Sequence, residues 1–147
     1  MWIEITVADV QTRLAGAELS AYRGSALAQG QADPLPEIVV AVVDEIRGYV
    51  AACSRNTLGA GNTIPSKLKA SALSMIRYRL ITRLPLSIGE ERKQEYRDAL
   101  DLMRDVASCK FAVEEPQTPD ESEAIATSLP AMGSRTLTFT REQQDGT

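Results

Sequence analysis

The sequence contains no histidine among its 147 residues. Imidazole-based catalytic triads, histidine-ligated metal sites and histidine general bases are therefore excluded. Aromatic side chains make up only 5% of the chain, so we expect a core of Leu, Ile, Val, Ala and Met. No apolar run approaches the roughly 18 residues that a membrane-spanning helix needs. The opening residues, MWIEITVADV, lack the basic start of a secretory signal. We therefore expect neither a membrane protein nor a secreted one.

Most of the chain has no excess of positive or negative charge. Up to Val113 there are 14 basic and 13 acidic residues, whereas from Glu114 onward there are 2 basic and 7 acidic residues. A strongly basic nucleic-acid binder is therefore excluded. The later residues are also rich in Pro and Ser and poor in large apolar side chains, which is typical of a mobile tail. We predict a helical domain over residues 1–113 and an acidic tail over residues 114–147.

Cysteine is scarce, and the two residues present are far apart. Cys53 and Cys109 each fall in an apolar helical pattern, and neither has a CxxC partner or a nearby histidine. This pattern predicts two buried free thiols in a reducing compartment rather than a disulfide framework or a metal site.

Helical periodicity dominates what is present. Apolar residues recur at helical spacing after the start signal Asp33-Pro34 and again along the stripe Leu68, Ala72, Ile76, Leu80 and Leu84. The predicted helices cover about Ala8–Ala15 (capped by Thr6 with Asp9), Glu18–Gln29, Asp33–Arg55, Ile64–Leu84 ended by Pro85, and a last helix that starts at a Ser87–Glu90 capping box and reaches about Lys110. The fold class is all-α: a small bundle of three long helices with short N-terminal helices.

Two short segments alternate in the manner of strands. MWIEITV places Ile3, Ile5 and Val7 on one face, and RTLTFT (residues 135–140) places Leu137 and Phe139 on one face. Two partners are open for the second segment, the N-terminal segment of the same chain or the edge of a neighbouring subunit. Extended N- and C-terminal arms that form a short β pairing are therefore expected.

Three arginines, Arg77, Arg79 and Arg83, lie within two turns of one predicted helix. They form either a solvated face paired with the acids of the next helix or a docking surface for phosphates or an acidic partner. The acids of that next helix alternate with Lys and Arg, which is typical of a helix face laced with i, i+4 pairs. We predict the solvated face and keep docking as the alternative.

The segment NTLGAGNT (Asn56–Thr63) is a loop that joins two long helices. It matches neither GxxxxGK[ST] nor GxGxxG, so it is not a phosphate cradle of a known type. A loop that needs a positive φ or exposes its backbone to a partner is the better interpretation, and Leu58 and Asn62 are its candidate interface residues. We find no metal-binding or catalytic spacing, and we expect no enzymatic activity, no cofactor and no metal.

The two short N-terminal helices, separated at Gly16, could be taken for a helix-turn-helix. A helix that reads DNA carries several basic or amide side chains. The segment ELSAYRGSALAQG offers one Arg and one Gln. We therefore expect no specific nucleic-acid readout.

Four segments carry a resemblance to a known family. They are MWIEITVADVQTRLAGAELSAYR, PEIVVAVVDEIRGYVAACSRNTLG, IPSKLKASALSMIRYRLITRLP and EYRDALDLMRDVASCKFAVEEP, which together cover about Met1–Pro116. In order and spacing the chain resembles a family of Mu-like phage and prophage virion proteins of roughly this length. The tail after Pro116 departs from the shared pattern.

Such proteins are similar in helical layout to the head–tail connector adaptors of tailed phages. The resemblance implies a structural protein that forms a homo-oligomeric ring on the phage portal and docks neck or tail proteins. It also implies a location in the host cytoplasm during assembly and in the virion neck afterwards. The candidate interface residues are Arg77, Arg79, Arg83, Leu58, Asn62, Leu137 and Phe139. The alternative function is a prophage-encoded regulatory or DNA-associated helical module, whose binding would weaken steeply as salt rises.

Overall fold

A computed structural model describes residues 1–26 and 30–117. These residues, which lie within one compact unit, form a helical bundle with one short β pairing. The elements are β1 (Trp2–Ile3), α1 (Val7–Arg13), α2 (Gly16–Ala21) followed by a π-helical turn (Tyr22–Ala26), α3 (Leu35–Ala52), β2 (Ile64–Pro65) followed by a 3-10 turn (Ser66–Leu68), α4 (Lys69–Ile81) and α5 (Glu90–Ala107). The predicted all-α class and the short β pairing are confirmed.

Helix α4 is the centre of the bundle, and it packs against both α3 and α5. The whole predicted stripe, Leu68, Ala72, Ile76, Leu80 and Leu84, is buried. Leu73, Met75 and Ile81 are buried as well, so α4 lacks a continuous polar face. The rings of Tyr78 and Tyr96 stack with centroids 4.3 Å apart and join α4 to α5. A helix apolar on most sides is expected where neighbours cover it on most sides.

The cap of α1 is as predicted. Thr6 Oγ1 accepts a hydrogen bond from the Asp9 N–H, and the Asp9 carboxylate accepts one from the Thr6 N–H. Lys69 adds an ion pair from α4, with Nζ 2.9 Å from Asp9 Oδ1. The hydrogen bond from Lys69, helped by those from Thr6, lowers the pKa of Asp9 to about 2. The charged cap therefore persists at any pH well above that value.

Several predicted boundaries are wrong by a few residues. The second helix starts at Gly16 rather than Glu18, because the Glu18 carboxylate accepts a hydrogen bond from the Ala15 N–H and so caps an earlier start. Helix α3 ends at Ala52, three residues before Arg55, because Cys53 is extended. Its N-cap is Pro34, while Asp33 supports the start by accepting a hydrogen bond from the Leu35 N–H.

The last two helices also start differently from the prediction. The residues Ile64 and Pro65, expected to open a helix, form strand β2. Helix α5 has Gly89 as its N-cap and no side-chain hydrogen bond there, so the capping box at Ser87 is not formed. In both cases a local start signal is overridden by the surrounding structure.

The N-terminal segment is extended, as its alternation predicts. Its strand β1 pairs antiparallel with β2, with Trp2 opposite Pro65 and Ile3 opposite Ile64. The Met1 carbonyl extends the ladder by accepting a hydrogen bond from the Ser66 N–H. The sequence analysis had assigned β2 to a helix, so a short β pairing was predicted but β2 was not foreseen as the partner of β1. The segment 135–140, with Leu137 and Phe139, lies outside the described residues.

Candidate interaction site

The side chain of Trp2 organises one region of the domain. Its ring lies beside Gly59 of the loop between α3 and β2, and the Arg47 guanidinium of α3 stands 6.0 Å from the ring centroid. Arg47 also donates hydrogen bonds to two loop carbonyls, those of Thr63 at 2.6 Å and Gly59 at 2.9 Å. The loop is therefore held at both of these points by a single helix residue.

The chain beyond α5 closes this region from another side. The Trp2 Nε1–H donates to the Glu114 carbonyl oxygen at 2.9 Å. The Glu114 carboxylate accepts from the Ser66 hydroxyl at 2.6 Å and lies 3.3 Å from the Met1 amino nitrogen. The Ser66 hydroxyl, helped by the Ser66 N–H and the Met1 amine, lowers the pKa of Glu114 against the effect of burial. We call Trp2, Arg47, Gly59, Ser66 and Glu114 the Trp2 cluster.

The position of Glu114 bears on the predicted division of the chain. The sequence analysis placed Glu114 at the start of an acidic tail. In the structure, Glu114 contacts Trp2 and Ser66, and residues 1–117 form one compact unit. Its carboxylate therefore belongs to the packed domain.

Gly59 is the position in the cluster where a side chain cannot be accommodated. A Cβ at Gly59 would lie 2.7 and 2.8 Å from two atoms of the Trp2 ring. We expect Gly59→Ala to displace the ring and to lower the free energy of unfolding by about 1–3 kcal/mol. The matched control is Gly48→Ala, since a Cβ at Gly48 of α3 meets nothing within 4 Å and alanine favours a helix.

Urea unfolding followed by tryptophan fluorescence measures both variants. The Gly48→Ala midpoint should equal or exceed that of the unmodified protein, and the Gly59→Ala midpoint should fall. Equal midpoints for Gly59→Ala and the unmodified protein would show that the ring moves aside without loss.

The loop presents its other residues to the outside. Leu58 is 41% exposed and is one of three large exposed apolar residues among those described, with Met1 and Val40. Asn62 is exposed too, and Gly61 adopts a positive φ of 59° that turns the loop. Both predicted loop residues are therefore on the surface, on a loop whose base is fixed by the Trp2 cluster. An exposed apolar side chain on a supported loop can be buried by a partner without much further ordering.

The predicted solvated arginine face is wrong for Arg77. Its side chain is buried and forms an ion pair with the buried Glu18 of α2, with Nη2 2.8 Å from Oε2. Arg92 of α5 donates to the other oxygen of Glu18 at 3.0 Å, and Glu95 lies 3.9 Å from Arg77. These four residues form a network that joins α2, α4 and α5. Spacing alone placed Arg77 beside the buried stripe but could not show that α2 supplies its partner.

The other two arginines differ from Arg77 and from each other. Arg79 is half-buried and forms an ion pair with Glu45 of α3. Arg83 follows α4, is exposed, and borders a shallow depression with Ser25 and Pro34. The structure therefore does not bring the three arginines together on one open face.

The prediction of free thiols is wrong as well. Cys53 and Cys109 form a disulfide bond across 56 residues of sequence. Each cysteine follows the end of a long helix, and the packing of α3 against α5 brings these two ends together. A shallow groove of about 190 Å³ lies beside the bond and is bordered by Arg55, Thr57 and Phe111.

Two kinds of feature are absent from the part of the chain that the structure describes. In residues 1–26 and 30–117, no three Cys, Asp or Glu side chains gather in a way that could hold a metal ion. Within the same ranges, no helix combines the length and the apolar character needed to cross a bilayer. The second N-terminal helix directs its one acid, Glu18, into the domain and carries no Lys or Arg within Gly16–Ala21. Leu58 and Asn62 remain the exposed loop residues of the candidate surface.

The sequence analysis missed most of the residues that support this surface. Trp2, Arg47, Gly59 and Glu114 lie far apart along the chain, and no spacing rule connects them. One signal was present for Gly59, a glycine in a loop between two helices, and the loop was singled out for that reason.

Comparison with known proteins identifies the family. A family model described as Bacteriophage Mu, Gp36 matches residues 5–129. No match was found among curated proteins or among solved structures. The match covers most of the chain, confirms the resemblance to Mu-like phage proteins and supports a structural phage protein. The chain belongs to the bacteriophage Mu Gp36 family.

Proposed function

We propose that the protein is a non-catalytic head–tail connector adaptor that assembles as a ring on the phage portal and docks neck or tail components. Membership in the Mu Gp36 family supports a phage structural role. The observation that supports the connector role in particular is the loop Asn56–Thr63. This loop exposes Leu58, and Arg47 and Trp2 hold its base in place. A protein that joins two assemblies needs such a protruding, supported contact.

The body of the domain fits the same role. A buried core joins α3, α4 and α5, the Glu18–Arg77–Arg92 ion pairs join α2 to α4 and α5, and the Cys53–Cys109 bond joins the ends of α3 and α5. Such a body keeps its shape when force or a partner acts on its surface. The near balance of charge in residues 1–113 favours docking to proteins over binding to the DNA backbone.

Co-sedimentation with the portal assembly of the same phage tests the proposal. We expect the unmodified protein to sediment with the portal and Leu58→Asp to lose this binding, because a charge would enter the apolar contact. Val40→Asp is the matched control, since Val40 is also exposed, at 52%, but lies on α3. Equal binding by Leu58→Asp and the unmodified protein would contradict the docking role of the loop. Failure of the unmodified protein to sediment would contradict the adaptor itself.

A further inference from the structure

The disulfide bond ties the end of α3 to the chain that follows α5. Cys53 directly follows α3 and is buried, whereas Cys109 lies two residues beyond α5 and is half-buried. Their α-carbons are 5.3 Å apart. Cys109 is therefore the partner that small thiols and disulfides reach first.

Cys109 sits in a backbone conformation that favours glycine. Its φ is +63°, and it is the one non-glycine residue with a positive φ among those described. The Cys109 N–H donates to the Val106 carbonyl and the Lys110 N–H to the Asp105 carbonyl, which is the Schellman pattern that ends many helices. Glycine usually occupies the left-handed position of this pattern. At Cys109 the disulfide bond to Cys53 helps to hold a left-handed backbone conformation that residues other than glycine disfavour.

The segment that starts at this turn reaches the Trp2 cluster five residues later. Glu114 accepts the Trp2 indole hydrogen bond and holds Ser66 at the end of β2. At the turn itself, Arg55 donates a hydrogen bond to the Cys109 carbonyl at 3.1 Å. The covalent bond therefore fixes the origin of the segment whose far end supports Trp2.

We propose that the Cys53–Cys109 bond is a redox latch that sets how firmly Trp2 and the loop Asn56–Thr63 are held. A phage protein is synthesised in the bacterial cytosol, where thiols are kept reduced. The chain is therefore made with the latch open. Oxidation forms the disulfide bond, fixes the turn at Cys109 and thereby holds Glu114 in contact with Trp2. The effect on docking through the loop rests on the proposed function, but the effect on Trp2 does not.

The closing reaction is a thiol–disulfide exchange with a small disulfide such as oxidised glutathione. The Cys109 thiolate attacks one sulfur of the oxidant, which forms a mixed disulfide and releases one glutathione. The Cys53 thiolate then attacks the Cys109 sulfur, forms the internal bond and releases the second glutathione. The two cysteines together lose two electrons and two protons, and the two released glutathione thiols carry these electrons and protons away.

Trp2 reports the state of the latch because it is the single tryptophan of the chain. The experiment uses the full chain in glutathione buffers of different redox ratio. Alkylation and mass measurement count the free thiols, acrylamide quenching measures the access of solvent to Trp2, and far-UV circular dichroism follows the helices. We expect full reduction to raise the quenching constant by about twofold or more, with the helical signal kept, since only a local segment is released.

The double variant Cys53→Ser/Cys109→Ser is the matched control. It should show the quenching of the reduced protein in every buffer. Equal quenching of the unmodified protein with two free thiols and with none would overturn the latch. Loss of the helical signal on reduction would overturn it too, because the bond would then hold the whole domain rather than one segment. Neither result depends on a portal or on docking, so the latch and the adaptor proposal can fail separately.

Discussion

Glu18→Gln is expected to lower the free energy of unfolding by about 3–5 kcal/mol, because it leaves the buried Arg77 guanidinium without its main counter-charge. Arg92 loses the same partner and keeps only its ion pair with Glu95. Chemical denaturation measures the change. Glu4→Gln removes a carboxylate from an exposed residue and is the matched control, with an unchanged midpoint expected. A Glu18→Gln midpoint equal to that of the control would show that the buried pair contributes nothing net.

The loss of stability caused by Glu18→Gln should depend on pH. Burial alone would raise the pKa of Glu18, but hydrogen bonds from the Ala15 N–H, Arg92 and Arg77 outweigh it and hold the pKa below its ordinary value of 4.5. A carboxyl with a lowered pKa stabilises the fold above its unfolded pKa, and this contribution is lost as pH falls through the folded pKa. The stability difference between the unmodified protein and Glu18→Gln should therefore be full near neutral pH and shrink below pH 4.5. A difference that grows on acidification would contradict this account.

Removal of the disulfide is the second large effect. Replacing Cys53 and Cys109 together by Ser should lower the free energy of unfolding by about 4 kcal/mol under oxidising conditions, because the bond closes a loop that spans 56 residues. The measurement compares denaturation midpoints with and without a reductant. The unmodified protein should lose stability when reduced, and the double variant should not respond. Identical midpoints for oxidised protein and double variant would contradict a stabilising bond.

The helical bundle could be predicted because its signals are local. The stripe from Leu68 to Leu84 follows the period of a helix, and the cap at Thr6 and Asp9 needs only residues three apart. Both features depend on residues only three or four positions apart. Their prediction needed no knowledge of what packs against them.

The errors with the largest structural consequences involve a partner that is distant in sequence, whereas the shifted helix boundaries have local causes. Arg77 was assigned to solvent because its neighbours along α4 gave no hint of Glu18, which lies 59 residues away. Ile64 and Pro65 were assigned to a helix because the pairing strand, Trp2–Ile3, lies at the start of the chain, far from them in sequence. The two cysteines were assigned as thiols because spacing does not reveal that two helix ends meet.

Only some residues of the proposed interaction surface could be named from the sequence, because the others are brought together by the fold. Glycine content and position marked the loop at residues 56–63, so Leu58 and Asn62 could be named from the sequence. What holds that loop in place could not be named, because Trp2, Arg47 and Glu114 come from three separate segments. Arg83 stays a predicted interface residue, exposed but apart from the loop residues in sequence.

Negative-stain microscopy of the portal assembly mixed with this protein tests the central claim most directly. The adaptor account predicts added ring-shaped density on one end of the portal, present with the unmodified protein and absent with Leu58→Asp. Portal particles without added density at protein concentrations on the order of 10 µM, at which even modest protein–protein affinities are populated, would contradict it.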